Sequence, residues 1–320
     1  PADILDDAVL YLRVYFVGFP FLFMYNILST MFTSIGESKI PLGLLIFSSI
    51  LNILMDLWMV AGLGLGVFGA AIATLIAQGI SAVFSFLIFL SRMRQYKSSF
   101  SRFDRQELYS MLRIAVPSVL QQSTVSIGMM IVQAVVNPFG TQALAGYAAT
   151  MRVENVFSLI FVSIGNAVSP YVSQNLGAKK YQRIRKGVHS GTYMALLTSV
   201  VISGVMVLFG RNILSLFVSG EPEQIRQVLD IAYKYLFIMA IFLWVLYLLY
   251  VYRSAIQGLG NTLIPLASGI AEFVMRVSVA LLLPKLIGED GIFYAEICAW
   301  TSAAVLLFIS YMIIIRKYKE

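Results

Sequence analysis

The last third of this chain repeats its first third. Tyr11-Leu12 returns as Tyr235-Leu236, and Ile35-Gly36-Glu37-Ser38-Lys39-Ile40-Pro41-Leu42 returns as Leu259-Gly260-Asn261-Thr262-Leu263-Ile264-Pro265-Leu266 at the same offset. Past one additional residue, Gly66-Val67-Phe68 returns as Gly291-Ile292-Phe293. Both copies are strings of apolar segments longer than soluble helices carry, so the repeat specifies a membrane protein built from related halves. Halves of this kind commonly hold a site between them. A block spanning about residues 106–215 precedes the second copy and nothing equivalent precedes the first, while the chain starts at Pro1. The expectation is a two-lobed fold in which the N-terminal half lacks its opening three helices.

Composition agrees. The chain is 59% hydrophobic and 12% charged, against roughly 25% charged in soluble domains, and each membrane span needs about 20 mostly apolar residues. The acidic start, Asp3, Asp6 and Asp7, is the opposite of the basic region that opens a cleavable signal peptide. The single cysteine, Cys298, lies in an apolar run and reads as a small core residue without an internal disulfide. One cysteine and one histidine are too few for a zinc site, so neither a metal nor a cofactor is expected. No HExxH or GxSxG motif is present, which leaves enzyme chemistry without support.

Hydropathy predicts an all-α polytopic membrane protein with nine spans, at roughly 9–34, 41–62, 67–91, 108–136, 143–172, 188–209, 228–255, 265–286 and 291–315. Basic residues gather after the third span (Arg92, Arg94, Lys97, Arg102, Arg105), after the fifth (Lys179, Lys180, Arg183, Arg185, Lys186) and at the C-terminus (Arg316, Lys317, Lys319), whereas the alternate connections are short or acidic. By the positive-inside rule the basic set and the C-terminus are cytoplasmic in a multi-pass plasma (inner) membrane protein. The net charge of +7 is then a topology signal rather than a nucleic-acid patch. His189, beside the second basic cluster, reads as interfacial. The expected organisation is an incomplete N-lobe over 1–91, a linker over 92–107 lying on the inner membrane surface, and a six-helix C-lobe over 108–320.

Asn52 and Asp56 are one helical turn apart on one face of the second span. At about 1.5 Å per residue Asp56 lies some 22 Å into a core about 30 Å thick, and Thr74 on the returning third span reaches a similar depth. Amide, carboxylate and hydroxyl together suit Na⁺, or a carboxylate that carries a proton. An ionisable residue inside a span is a functional candidate because burying it is costly. The alternatives are a carboxylate satisfied by neighbours and a threonine bonded to its own helix. Glu272 and Arg276 occupy the repeat positions of Ser48 and Asn52 and have the favourable spacing of an intrahelical ion pair, which leaves a structural pair and a substrate or coupling role both open. Arg152, Glu154 and Glu296 lie near the outer boundary and are expected to snorkel or line a vestibule. Gln121 and Gln122, following Pro117, either line a cavity or bond to neighbouring helices.

These residues resemble the multidrug and toxic compound extrusion (MATE) transporters of the flippase superfamily. The stretch Asn52 to Asp56 followed by Gly66-Val67-Phe68-Gly69-Ala70-Ala71-Ile72-Ala73-Thr74 is similar to the family's fifth and sixth helices. Pro117-Ser118 with Leu120-Gln121-Gln122 is similar to the seventh, and Ser173-Gln174-Asn175-Leu176-Gly177-Ala178 with Arg183 to the end of the eighth. The resemblance covers nearly the whole chain, as the fourth to twelfth helices of a two-lobed, twelve-helix fold. It implies an antiporter that exports drug-like, amphipathic, often cationic compounds in exchange for H⁺ or Na⁺ by rocking its lobes. The chain is expected to be monomeric, in contact with membrane lipids and not with nucleic acid. The resemblance further implies that Asn52, Asp56 and Thr74 match part of a cation site whose remaining aspartate belongs to a first helix absent from this chain, and that Glu272 and Arg276 are the paired charges of the eleventh helix. A lipid-linked precursor flippase and a non-transporting fragment are the competing readings.

Overall fold

The computed structural model describes residues 5–94, 103–288 and 290–318. Among these, nine helices are long and apolar enough to cross a membrane. The chain divides into two compact units, Pro1–Arg102 and Phe103–Glu320. Half of the linker read as lying on the membrane surface, residues 95–102 with Lys97 and Arg102, falls outside the described residues.

The first unit holds α1 (Leu5–Ser34), α2 (Lys39–Asp56) and α3 (Gly66–Met93). The third helix lies between the other two, which scarcely meet. It can do so because its buried positions are small: Gly69, Ala71, Ala73, Ala77, Ser81, Ala82 and Ser85. In lipid, where tails are as apolar as leucine, close approach over small residues supplies the van der Waals contact that holds helices together. Phe32 meets Phe89 edge-on and Phe47 meets Phe84, so α3 is clasped from both sides. The outward faces of α1 and α2 are large and apolar (Phe16, Val17, Ile53 and Leu54 are all exposed), as lipid requires.

The second unit holds α4 (Arg105–Val136), α5 (Thr141–Gly177), α6 (Tyr181–Ser215), α7 (Pro222–Gly258), α8 (Leu263–Leu282), a short α9 (Pro284–Ile287) and α10 (Asp290–Lys317). The helix α7 is the core, packed by α5, α6 and α10, while α8 bridges α10 to α4. Several helices run past the expected spans, α5 and α7 by a turn or more, because hydropathy marks only the apolar stretch and not the water-facing ends. The eighth span is interrupted after Leu283, which keeps helical backbone, because Pro284 has no N–H to continue the hydrogen-bond ladder. Asp104 caps α4 by accepting from the backbone N–H of Gln106 and Glu107 at 2.8 and 3.3 Å.

The repeat is visible at backbone level. Gly36 (φ 87°) and Gly260 (φ 81°) both close a helix with the same bonds: Glu37 N to Phe32 O at 2.9 Å, and Asn261 N to Ile256 O at 3.2 Å. Gly64 and Gly288, at the same offset, are also left-handed at 68° and 71°. In both copies the first helix packs on the third and the second on the third. Nothing lies within 4 Å of a side chain added at Gly260, so Gly260→Ala should cost only the left-handed backbone strain. That is about 1 kcal/mol, readable as a lowered melting temperature, and an unchanged melt would contradict the shared turn.

Candidate functional site

In the first unit α2 ends at Asp56 and gives way to a wider π-helical turn, Leu57–Gly62, closed by Leu63 N to Trp58 O at 2.9 Å. Such turns frequently sit at functional positions. Asn52 Nδ2 donates to Thr74 Oγ1 at 3.4 Å, and that hydroxyl donates to Ala70 O at 3.0 Å. The structure thus brings Asn52 and Thr74 together across α2 and α3, with Thr74 also bonded to its own helix. Asp56 is half-buried and joined by no hydrogen bond to either, and its Oδ1 is shielded with no hydrogen-bond partner among the described residues. A shielded carboxylate oxygen without a donor is costly unless a proton or cation satisfies it. Thr74 also borders a small recess between α1 and α3, lined in addition by Tyr11, Tyr15, Gly18 and Gln78.

In the second unit Glu272 and Arg276 are buried and paired, Arg276 Nη2 donating to Glu272 Oε1 at 2.9 Å. They are the middle of a longer ladder. Arg253 of α7 donates from Nη2 to Glu272 Oε2 at 2.8 Å, and Arg276 grips Glu296 of α10, with Nε 3.1 Å from both oxygens and Nη2 2.9 Å from Oε2. The Arg276 and Glu296 side chains are wholly excluded from solvent. Where the first copy has Ser48 and Asn52 bonded lightly to α3, the second has a charged tie from α8 to α7 and α10. The structure therefore corrects the expectation for Glu296 and Glu154: both are buried rather than snorkelling, because the partner helices close over them. Arg152 is exposed.

Glu154 sits on α5 seven residues after Tyr147 and seven before Phe161, and so on the same face as both. Tyr147 stacks on Tyr235 of α7, which stacks on Phe293 of α10, with centroids 5.7 and 4.6 Å apart. Phe161 meets Tyr247 and Tyr250. Glu154 is enclosed between these two clasps, and no arginine or lysine pairs with it among the described residues. The Tyr235 and Tyr247 hydroxyls are likewise shielded and without partners there. The two glutamines part company. Gln121 is buried against α8, where a side chain added at Gly269 would come within 2.9 Å of its Cγ, whereas Gln122 is exposed.

Comparison with known proteins places this geometry. The family model MatE matches residues 1–58 and 117–282. The chain is similar to the "Probable multidrug resistance protein YpnP" of Bacillus subtilis, 27% identical over 91% of this chain and 65% of the relative. It is similar also to the "Multidrug export protein MepA" of Staphylococcus haemolyticus, 25% identical over 94% of this chain and 66% of the relative. It spans less than two thirds of the length of these curated relatives. In fold it is similar to the Vibrio cholerae MATE transporter VcmN in the bent form, with a TM-score of 0.83 and 23% identity over 99% of this chain and 70% of the solved one. A multidrug resistance MATE family transporter in an outward-facing conformation superposes with a TM-score of 0.85 at 22% identity, over 98% of this chain and 70% of that chain.

Proposed function

Because this chain belongs to the MatE family of multi-pass membrane transporters, we propose that it works as a secondary active antiporter exporting amphipathic, often cationic drug-like compounds in exchange for H⁺ or Na⁺. The observation that carries this reading is Asp56, the single acidic residue of α2, held at the start of a π-helical turn with one oxygen shielded and unpartnered. Asn52 and Thr74, bonded to each other beside it, offer a carbonyl and a hydroxyl oxygen on the same side of the unit. A carboxylate with two neutral oxygens can take a proton or ligate Na⁺ after the ion sheds water. Either event cancels a charge that is expensive in lipid, which is the differential binding that shifts a two-state transporter. In the second unit the ladder ties α7, α8 and α10 into one body, which suits a lobe that moves as a unit, and Glu154 is a second carboxylate able to respond to an ion.

Relatives carrying multidrug names support the substrate class, and the basic ends of the spans support a cytoplasmic C-terminus in the plasma membrane. The test is gradient dependence in cells. Cells expressing the full chain should extrude a lipophilic cationic dye, and extrusion should stop within minutes of adding a protonophore or a Na⁺ ionophore while cellular ATP is held constant. Extrusion that survives collapse of both gradients and follows ATP would overturn the antiporter.

A further inference from the structure

A recess unrelated to either charge cluster opens in the second unit where α6 begins and α10 ends. Its rim carries Arg185 and His189 of α6 and Arg316 of α10, and its wall includes Tyr252 of α7 with Phe308 and Met312 of α10. Arg185 is fixed in place: its Nη2 donates to the carbonyls of Ile315 and Tyr318 at 3.1 Å each, closing the C-terminal end of α10. Among the described residues no carboxylate pairs with Arg185, His189 or Arg316. His189 and Arg316 are exposed, as are Phe308 and Met312. Tyr252 holds the wall in shape, edge-on to Phe308 at 5.3 Å and tilted on Tyr311 at 5.5 Å.

The two chemistries are separated along the helix axis. Phe308 lies eight residues before Arg316, so the apolar wall runs about 12 Å deeper into the membrane than the cationic rim. That is the profile of a phospholipid standing in its leaflet, with a charged phosphate at the interface and a chain below. A free anion would use only the rim and leave the aromatic wall unexplained. A lipophilic cation would be repelled by the two arginines. Basic clefts between spans at this depth recruit anionic headgroups by charge.

We propose that this recess binds an anionic phospholipid, its phosphate held by Arg185, Arg316 and His189 and one acyl chain laid along Tyr252, Phe308 and Met312. The lipid braces α6 against α10 at the end of the unit. The full chain, stripped of lipid in a neutral detergent, should gain at least about 3 °C in melting temperature on adding phosphatidylglycerol in mixed micelles. Phosphatidylcholine or inorganic phosphate should give no such gain. The double variant His189→Gln/Arg316→Gln, both at exposed positions, should melt like the parent in phosphatidylcholine and lose the phosphatidylglycerol gain. Native mass spectrometry of the parent protein should independently retain phosphatidylglycerol in preference to phosphatidylcholine. An undiminished gain in the double variant, an equal gain from inorganic phosphate, or no lipid preference would each overturn the proposal.

Discussion

Replacing Arg276 with methionine should destabilise the second unit by about 3–5 kcal/mol, because removing one partner of a buried ion pair strands the other. Here it strands Glu296, whose ion-pair partner among the described residues is Arg276 alone, and leaves Glu272 with Arg253 as its remaining cation. Arg276 donates to both Glu272 and Glu296, and the Arg276–Glu296 pair is shut off from solvent. The guanidinium is closely packed: a side chain added at Gly128 would lie 3.3 Å from Arg276 Nη1, so α4 is already in contact there. The effect is readable with the chain's single cysteine. Cys298, two residues past Glu296 and partly buried, should react with a thiol reagent at a markedly lower temperature in the variant. The double variant Arg276→Met/Glu296→Gln removes the pair as a whole and leaves Arg253 bonded to Glu272. It should therefore be milder than Arg276→Met alone. A double variant as unstable as the sum of the two singles would show that the ladder matters for packing volume and not for charge.

Asp56→Asn should reduce ion-driven efflux by roughly tenfold or more while leaving the melting temperature unchanged or slightly raised. The substitution keeps the side-chain volume and removes only the ionisable function. Asp56 Oδ1 accepts no hydrogen bond among the described residues, so little native interaction is lost, and the cost of partly burying an unpaired charge disappears. The measurement pairs drug resistance of expressing cells with thermal unfolding of purified protein. A variant that unfolds earlier and loses transport in proportion would make Asp56 a packing residue, and a stable, fully active variant would remove it from the mechanism.

Much of this was legible in the sequence, for definite reasons. Apolar run length and loop charge located the spans, since lipid imposes both. The repeat placed Gly36 and Gly260 at matching positions, and their shared left-handed backbone came only with the structure. Asn52 and Thr74 met because helical spacing and depth constrain two antiparallel spans. The ladder was only half legible. Glu272 with Arg276 is a local pair four residues apart, whereas Arg276 with Glu296 and Arg253 with Glu272 join different helices and depend on packing. A depth signal for Arg253 did exist: it sits five residues before the end of α7, and Glu272 nine residues after the start of α8. The offset of about 6 Å is within reach of an arginine side chain. Glu154 and Glu296 were misjudged because depth was read one helix at a time, with no account of which faces neighbours cover. The π-helical turn after Asp56 left no compositional trace, since it is a one-residue shift in hydrogen bonding rather than a change of residue type.

The most direct measurement is uphill drug movement in proteoliposomes containing the full chain, with a pH gradient and a Na⁺ gradient imposed separately. The unaltered protein should concentrate a lipophilic cation against its own gradient under at least one of the two, and Asp56→Asn should equilibrate it without concentrating it. Equal accumulation by both proteins, or accumulation with neither gradient present, would contradict ion coupling through Asp56.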